Sequence, residues 1–253
     1  MVTELCRATT GRAFSSSLRD DTVEELRARY DMTQTAQLED SLTQVDEEDN
    51  VIGSVSKLDG HLKLSGQRVT LPHRAFSLFL FNARNELLLQ QRSLKKITFP
   101  NLWTNTCCSH PRHTPDEIDL SDGYVGPRRA AIRRASFELG INDLAVEQIT
   151  CGGKILYYAD ACDNFAEHEL DYILFAKVES LAPYEINDDE VKAAEWVART
   201  DLDAFIEDRK KRYDEDITPW FRLLKNRKLD TWWRNLEQDN TFPDEADKLE
   251  RFY

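Results

Sequence analysis

The stretch AFSLFLFNARNELLLQQ, residues 75–91, decides the fold. Ala75–Phe81 follows Pro72 and ends at the turn-like Asn82–Asn85, so Glu86–Gln91 returns at hairpin distance. Both runs are too apolar for a sheet with one wet face, which predicts strands buried on both faces. Downstream, Asn101–His110 is a second extended stretch, rich in Thr and Trp. Ile149–Ala159 and Glu167–Val178 are further strand candidates. Pro127 suits the first turn of a helix that runs to Leu139 and stops at Gly140. Leu202–Tyr213 and Pro219–Asn235 read as helices. Helices following a mixed sheet predict one α/β sandwich. Upstream, Asp20-Asp21-Thr22 can cap a short helix through about Tyr30, and the polar residues 31–44 read as a linker or loop.

Composition excludes several classes. With 41% hydrophobic and 31% charged residues the chain has the profile of a soluble globular protein. No run approaches the roughly 20 apolar residues needed to cross a membrane. The formal net charge of −13 repels phosphate backbones, so nucleic acid is not an expected partner. One segment opposes this trend. Between Arg92 and Arg134 stand eight basic residues against four acidic ones, a local +4 that suggests a pocket for a small anion. The five cysteines are odd in number and no C-x-x-C pair is present, so a reducing compartment fits better than a disulfide framework. The cytoplasm is therefore expected. Arg and Ser in residues 1–20 are at most a weak transit signal, with Glu4 and Asp20 against it.

Four stretches can carry chemistry. Glu167 and Glu169 lie two apart in a strand, so both carboxylates project from one face while His168 points away. With His61, His73 and His110, each within or beside an extended segment, they would form a mixed N/O shell suited to Mn²⁺, Mg²⁺ or Zn²⁺. Spacing alone leaves open an exposed acidic strand and unrelated histidines. In TNTCCSHP (104–111), Cys108 and His110 share a face and Cys107 looks away. A thiol beside a metal-bound imidazole and near cations is expected to have a lowered pKa; a buried structural cysteine pair is the alternative. Arg134 and Glu138 share a helix face, as a surface ion pair or as a phosphate-binding cation and a ligand for a hard cation. In QRSLKKITF (91–99), Arg92 and Lys96 can clamp a diphosphate, while Lys95 is solvated.

Together these stretches resemble the type 1 isopentenyl-diphosphate isomerases in their eukaryotic form. The markers stand in family order from about Val45 onward: VDEEDN at 45, HRAFSLFLFN at 73, LLLQQRSLKKITFP at 87, TNTCCSHP at 104, RRAAIRRASFELGI at 128, EHELDYILF at 167 and ITPWF at 217. The resemblance implies a Nudix-like α/β/α sandwich with a mixed sheet. It would comprise an N-terminal extension over 1–40, partly flexible or covering the site, and a domain over 41–253. That domain would have its core at about 71–203 and C-terminal helices over 204–253.

By resemblance, Cys108 and Glu169 are catalytic and Tyr157 donates a hydrogen bond at the reacting carboxylate. His61, His73, His110, Glu167 and Glu169 hold a divalent metal (Mg²⁺, Mn²⁺ or Zn²⁺). A second Mg²⁺ bridges the substrate diphosphate and Glu138. Lys57, Arg92, Lys96, Ser109 and Arg134 contact that diphosphate, and Trp220 sits near the reacting carbons. The substrate would be isopentenyl or dimethylallyl diphosphate and the enzyme a monomer. Two readings compete, a Nudix-type diphosphate hydrolase and a non-catalytic binding module of the same fold. Nudix hydrolases need Arg-Glu-x-x-Glu-Glu on a helix, whereas RRASFE at 133–138 keeps only the last glutamate. Relatives commonly carry Trp-Gly before Glu-His-Glu. Phe165-Ala166 stands here instead, which puts the loop shape and the fit of Tyr157 in question.

Overall fold

All nine residues of His73–Phe81 are buried, as are all six of Leu87–Arg92, so the sheet is covered on both faces as their apolar character requires. The computed structural model describes residues 24–26, 28, 32–63, 70–162, 164–179 and 185–252; the cap expected at Asp20-Asp21-Thr22 lies outside them. From Met32 the chain forms helix α1 (Met32–Ala36), strands β1 (Ser41–Val45) and β2 (Val51–Ser56), and the short helix α2 (Lys57–His61). Strands β3 (His73–Phe81), β4 (Leu87–Arg92), β5 (Trp103–Thr104) and β6 (Cys107–Ser109) follow. Next come helices α3 (Pro115–Ile118) and α4 (Ser121–Leu139), then strands β7 (Ile149–Asp160), β8 (Ala166–Lys177) and β9 (Val191–Val197). Helices α5 (Leu202–Tyr213), α6 (Pro219–Leu224) and α7 (Asp230–Asp239) and strand β10 (Leu249–Phe252) complete it.

The strands form one mixed sheet in the order β10-β7-β8-β3-β1-β2, with β4 and β6 also pairing with β3, and β5 and β9 pairing with β4. The parallel pairing of β3 with β8 runs from His73 opposite Glu169 to Phe81 opposite Lys177. Period-two alternation then sorts side chains between two cores. Phe76, Leu78 and Leu80 face one side with Leu170, Tyr172 and Leu174, against Ala130, Ala131, Ala135 and Leu139 of α4. Phe79 and Phe81 face the other with Ile173 and Phe175, against Phe221, Leu224, Trp232, Trp233 and Leu236 of the C-terminal helices. Trp233 is fixed by an edge-on contact with Phe81 at 5.3 Å and by its indole N–H, which donates to Asn85 O at 2.6 Å. The result is an α/β/α sandwich.

Several boundaries differ from the sequence expectation. Residues 32–44 are not the loop expected over 31–44. They contain α1, a 3₁₀ turn at Gln37–Glu39 and most of β1, whose SLTQV pairs with β2 and β3 and buries Leu42 and Val45. The stretch 101–110 is two short strands, because the amide of Asn105 turns inward to donate to Leu78 O at 3.1 Å. The helix begun at Pro219 continues past Asn235, through a π turn at Lys225–Leu229, to Asp239. Residues 204–253 also include a strand, β10, laid parallel to β7. Strand β9 went unrecognised in the sequence. Lys95 is half-exposed but ion-paired with Asp189 rather than merely solvated.

Helix α4 ends as expected. Residues 122–124 are left-handed, so regular helix begins after them with Pro127 in its first turn. Gly140 takes φ 66° and donates its N–H to Ser136 O. A Cβ at Gly140 would lie 2.7 Å from Glu185 N and 2.9 Å from Glu185 O. Gly140→Ala is therefore expected to cost about 1–3 kcal/mol, read as a lowered urea midpoint. An unchanged midpoint would show that the αL cap and this close approach carry no strain.

Candidate active site

The site occupies one end of the face that the C-terminal helices cover. On β8 the side chains of that face read Glu167, Glu169, Asp171, then Ile173 and Phe175. The carboxylates thus continue the line of a hydrophobic core. Register places His73 on one side of Glu169 and Tyr157 on the other. Strand β6 pairs antiparallel with β3 and sets Cys108 opposite Ser77, with His110 just beyond its end. His61 is delivered differently. It closes α2, a short helix capped by Ser56, whose hydroxyl accepts from Asp59 N at 3.1 Å. Gly60 permits the approach, since a Cβ there would sit 3.2 Å from His73 Nδ1.

His61, His73, His110, Glu167 and Glu169 are all buried and each offers one ligand atom within 4.8 Å of the others. The three imidazole centroids are 4.7, 5.0 and 5.0 Å apart. Two of the rings are oriented from behind. His61 Nδ1 contacts Lys57 O at 2.6 Å, and His73 Nδ1 contacts Leu71 O at 2.8 Å. A carbonyl can only accept, so both Nδ1 atoms carry a proton and both rings turn Nε2, the remaining nitrogen, toward the carboxylates. His73 Nε2 is buried there with no hydrogen-bond partner. His61 Nε2 lies 2.8 Å from Glu167, and His110 Nε2 lies 2.8 Å from Glu169. An orphaned ring nitrogen among carboxylates fits a divalent cation better than it fits an empty core.

Beside this cluster, Cys108, Tyr157, Glu169 and Trp220 line one cavity of about 60 Å³. Tyr157 donates its hydroxyl to Glu169 Oε2 at 2.5 Å. Burial and the charge of Glu169 hold that phenol well above its usual pKa, so it stays a donor. Trp220 Nε1–H donates to Cys108 Sγ at 3.0 Å, and the thiol reaches Asn105 Oδ1 at 3.0 Å. The expected lowering of the Cys108 pKa is not found. Burial, then the nearby Asp171, push the thiol up to about 12. The expected cations, Lys57, Arg92, Lys96 and Arg134, line the same cavity with Ser109, and the Arg92 guanidinium lies 5.7 Å from the centre of the Trp220 ring. Burial, then Lys96 and Arg134, bring the Lys57 ammonium down to about 8.

A NUDIX domain model matches residues 71–221. The isopentenyl-diphosphate Delta-isomerase II, chloroplastic, of Arabidopsis thaliana is 41% identical over 233 residues, 90% of this chain and 79% of that protein. The isopentenyl-diphosphate Delta-isomerase 1 of Bos taurus is 44% identical over 204 residues, 79% of this chain and 87% of the relative. This chain belongs to the isopentenyl-diphosphate isomerase family. A crystal structure from Deinococcus radiodurans is a looser likeness, with a TM-score of 0.49 and 16% identity over 75% of this chain and 99% of that one.

Among the isomerase residues expected from sequence, His73 and Glu138 do not line the cavity; His73 is buried behind it in the His/Glu cluster, and Glu138 is engaged elsewhere. Its Oε1 accepts from Arg134 at 2.7 Å and its Oε2 from Gln90 at 3.0 Å, so the carboxylate lies behind the guanidinium. The Phe165-Ala166 departure proves mild. Phe165 lines the cavity, Ala166 opens β8 opposite Asp160, and Tyr157 still reaches Glu169. His168 points away, to Thr70 O.

Three residues escaped sequence reasoning. Asp171 was within reach, because the alternation that pairs 167 with 169 extends to 171. Its Oδ2 accepts from Ser77 at 2.7 Å, and burial, then Glu169, raise its pKa far above the carboxylate range. Asn105 and Glu190 gave no local signal.

Stripping ions with chelator is expected to lower the isomerase's thermal midpoint, and adding back Mn²⁺ or Zn²⁺ to restore it. A site filled at a hundred times its Kd contributes about 2.7 kcal/mol. His73→Ala should abolish the response. Identical melting curves with and without ion in the unmodified chain would rule out the cluster as an ion site.

Proposed function

We propose that this enzyme interconverts isopentenyl diphosphate and dimethylallyl diphosphate, moving a carbon–carbon double bond by one protonation and one deprotonation, in the supply of isoprenoids and sterols. The observation that carries the reading is the shared cavity. The thiol of Cys108 and the carboxylate of Glu169 line one small space that opens onto four cations. That arrangement gives a five-carbon alkene two proton-exchanging groups and its diphosphate an anchor in one cavity.

The reaction requires a proton on the terminal alkene carbon and removal of a proton from C2, through a species close to a tertiary carbocation. Cys108 and Glu169 divide these two transfers, and their roles exchange when the reaction reverses. Tyr157, bonded to Glu169 at 2.5 Å, holds that carboxylate's orientation and can pass a proton to it. A divalent ion, Mg²⁺, Mn²⁺ or Zn²⁺, held by His61, His73, His110, Glu167 and Glu169, would supply positive charge that tunes the Glu169 carboxylate. Trp220 does two things. Its N–H orients the Cys108 sulfur, and its ring face stabilises developing positive charge by ~0.5–2 kcal/mol.

Water would trap the cation as an alcohol, so the cavity must stay dry. Leu38, Ile97 and Phe165 contribute apolar walls. Leu38 comes from the N-terminal extension, which supports a covering role for residues 1–40.

Lys57, Arg92, Lys96, Ser109 and Arg134 take the diphosphate. A Mg²⁺ carried in on the diphosphate meets Glu138 only if that carboxylate gives up its bond to Arg134 or Gln90. As they stand these residues do not fit that ion, and no step depends on it. Hydrolysis is disfavoured because α4 brings one glutamate, already bonded, where several are needed to assemble a phosphate-attacking metal cluster. A monomer acting in the cytoplasm completes the proposal.

Cys108→Ser and Glu169→Gln are each expected to lower turnover by at least ~10³-fold, while Cys107→Ser keeps most activity. Steady-state assays decide this, and near-normal turnover in Cys108→Ser would refute the assignment. Incubating isopentenyl diphosphate with the enzyme in deuterated water should give dimethylallyl diphosphate carrying deuterium. Phosphate release without isomerisation would favour a hydrolase, and an inert chain a binding module.

A further inference from the structure

We propose that Glu190 is a positioning residue for the diphosphate subsite, its carboxylate holding the Lys96 ammonium and the Arg134 guanidinium ready for the substrate anion and tying Gln34 and Gln37 to the same point. The inference deepens the isomerase reading and rests on it.

Glu190 stands just before β9, far in sequence from every other site residue. Its side chain is 1% exposed. Oε2 accepts from Lys96 Nζ at 2.6 Å and from Arg134 Nη2 at 3.0 Å. Oε1 accepts from Gln34 Nε2 at 3.0 Å and from Gln37 Nε2 at 2.6 Å. One carboxylate therefore joins three separate segments. The backbone reinforces the arrangement. Ser93 N donates to Glu190 O at 2.9 Å, and Ser93 Oγ donates to Asp188 O at 2.7 Å. The loop that carries Lys96 is thus stitched to the turn that carries Glu190.

Lys96 and Arg134 line the cavity and Glu190 does not, so it acts through them. Two buried cations side by side repel, and neither is well hydrated there. A carboxylate between them offsets both penalties and fixes where each donor points. Burial opposes ionisation of Glu190, but Lys96 and Arg134 hold it well below the usual carboxylate range. Gln37 also accepts from Arg134 Nη1 at 3.2 Å, so the amide of the N-terminal segment touches both the anchor and the cation it holds. A subsite assembled in this way binds an anion without first having to order its own cations.

The test compares the native enzyme with Glu190→Gln, nearly the same shape without the charge. The expected result is a KM for isopentenyl diphosphate raised at least ~10-fold with kcat within about threefold, since the carbon chemistry is untouched. Glu190→Asp, which keeps the charge, should return KM to within about threefold of the native value. A purely structural role would lower the active fraction, and with it kcat, while leaving KM alone. An unchanged or lowered KM in Glu190→Gln, or a loss confined to kcat, overturns the proposal.

Titration calorimetry with inorganic pyrophosphate separates this inference from the reading beneath it. If the native protein does not turn over isopentenyl diphosphate, the isomerase reading falls, and Glu190 is judged on pyrophosphate alone. Binding at least ~10-fold weaker in Glu190→Gln supports the positioning role, and equal binding overturns it. Should Glu190→Gln fail to fold by circular dichroism, Gln34→Ala/Gln37→Ala takes its place. Its pyrophosphate affinity is expected to fall at least ~3-fold, and an unaltered affinity overturns the proposal.

Discussion

Three imidazoles and two carboxylates are buried with no ligand atom more than 4.8 Å from another, and the rest of the site is arranged around that concentration of polar groups. Such a set is unfavourable to bury unless each member is oriented and compensated. The chain orients the rings with backbone carbonyls, from Lys57 behind His61 and from Leu71 behind His73. It supports the outer carboxylate oxygen with the Tyr157 hydroxyl. Those contacts fix which ring nitrogen faces inward, and so convert five ordinary side chains into a set that a divalent cation can satisfy.

The same sheet face serves two purposes. Near Ile173 and Phe175 it is aromatic core under the C-terminal helices; at Glu169 and Glu167 it lines the cavity. Continuity between the two explains how a reactive centre is kept rigid without a layer of its own. Trp220 belongs to both, packed in the aromatic core and bonded to the Cys108 sulfur. Lys57, Arg92, Lys96 and Arg134 gather in a chain whose formal net charge is −13. Glu190 and Glu138 make that gathering tolerable, each accepting from Arg134.

Helix α4 shows how one scaffold changes its chemistry. It packs on the sheet through Ala130, Ala131, Ala135 and Leu139, as a shared fold requires. Its polar side carries Arg134 where a hydrolase needs glutamate. A guanidinium binds phosphate oxygens but cannot hold metals against them, so in the proposed reaction the helix would contribute to binding, with the proton transfers assigned to side chains of β6, β7 and β8.

The sequence by itself determined the strands buried on both faces, the helix ending at Gly140, and the candidate ligands. Each depends on local rules: the apolar character of 75–91, the αL preference of glycine, and the strand alternation that puts Glu167 and Glu169 together and sends His168 away. Resemblance supplied the pairing of these stretches with one reaction. Tertiary structure alone decided the remainder. Strand β1 carries only Leu42 and Val45 as apolar residues, buried once it pairs with β2 and β3, so residues 31–44 read as a loop. The thiol pKa is raised first by how deeply Cys108 is buried and then by Asp171 across the sheet, neither of which its neighbours in sequence reveal. Glu190 reaches Lys96 across 94 residues and Arg134 across 56, distances over which no sequence period operates. Local pattern fixes which way a side chain points from its own element; only the folded chain fixes what it meets there.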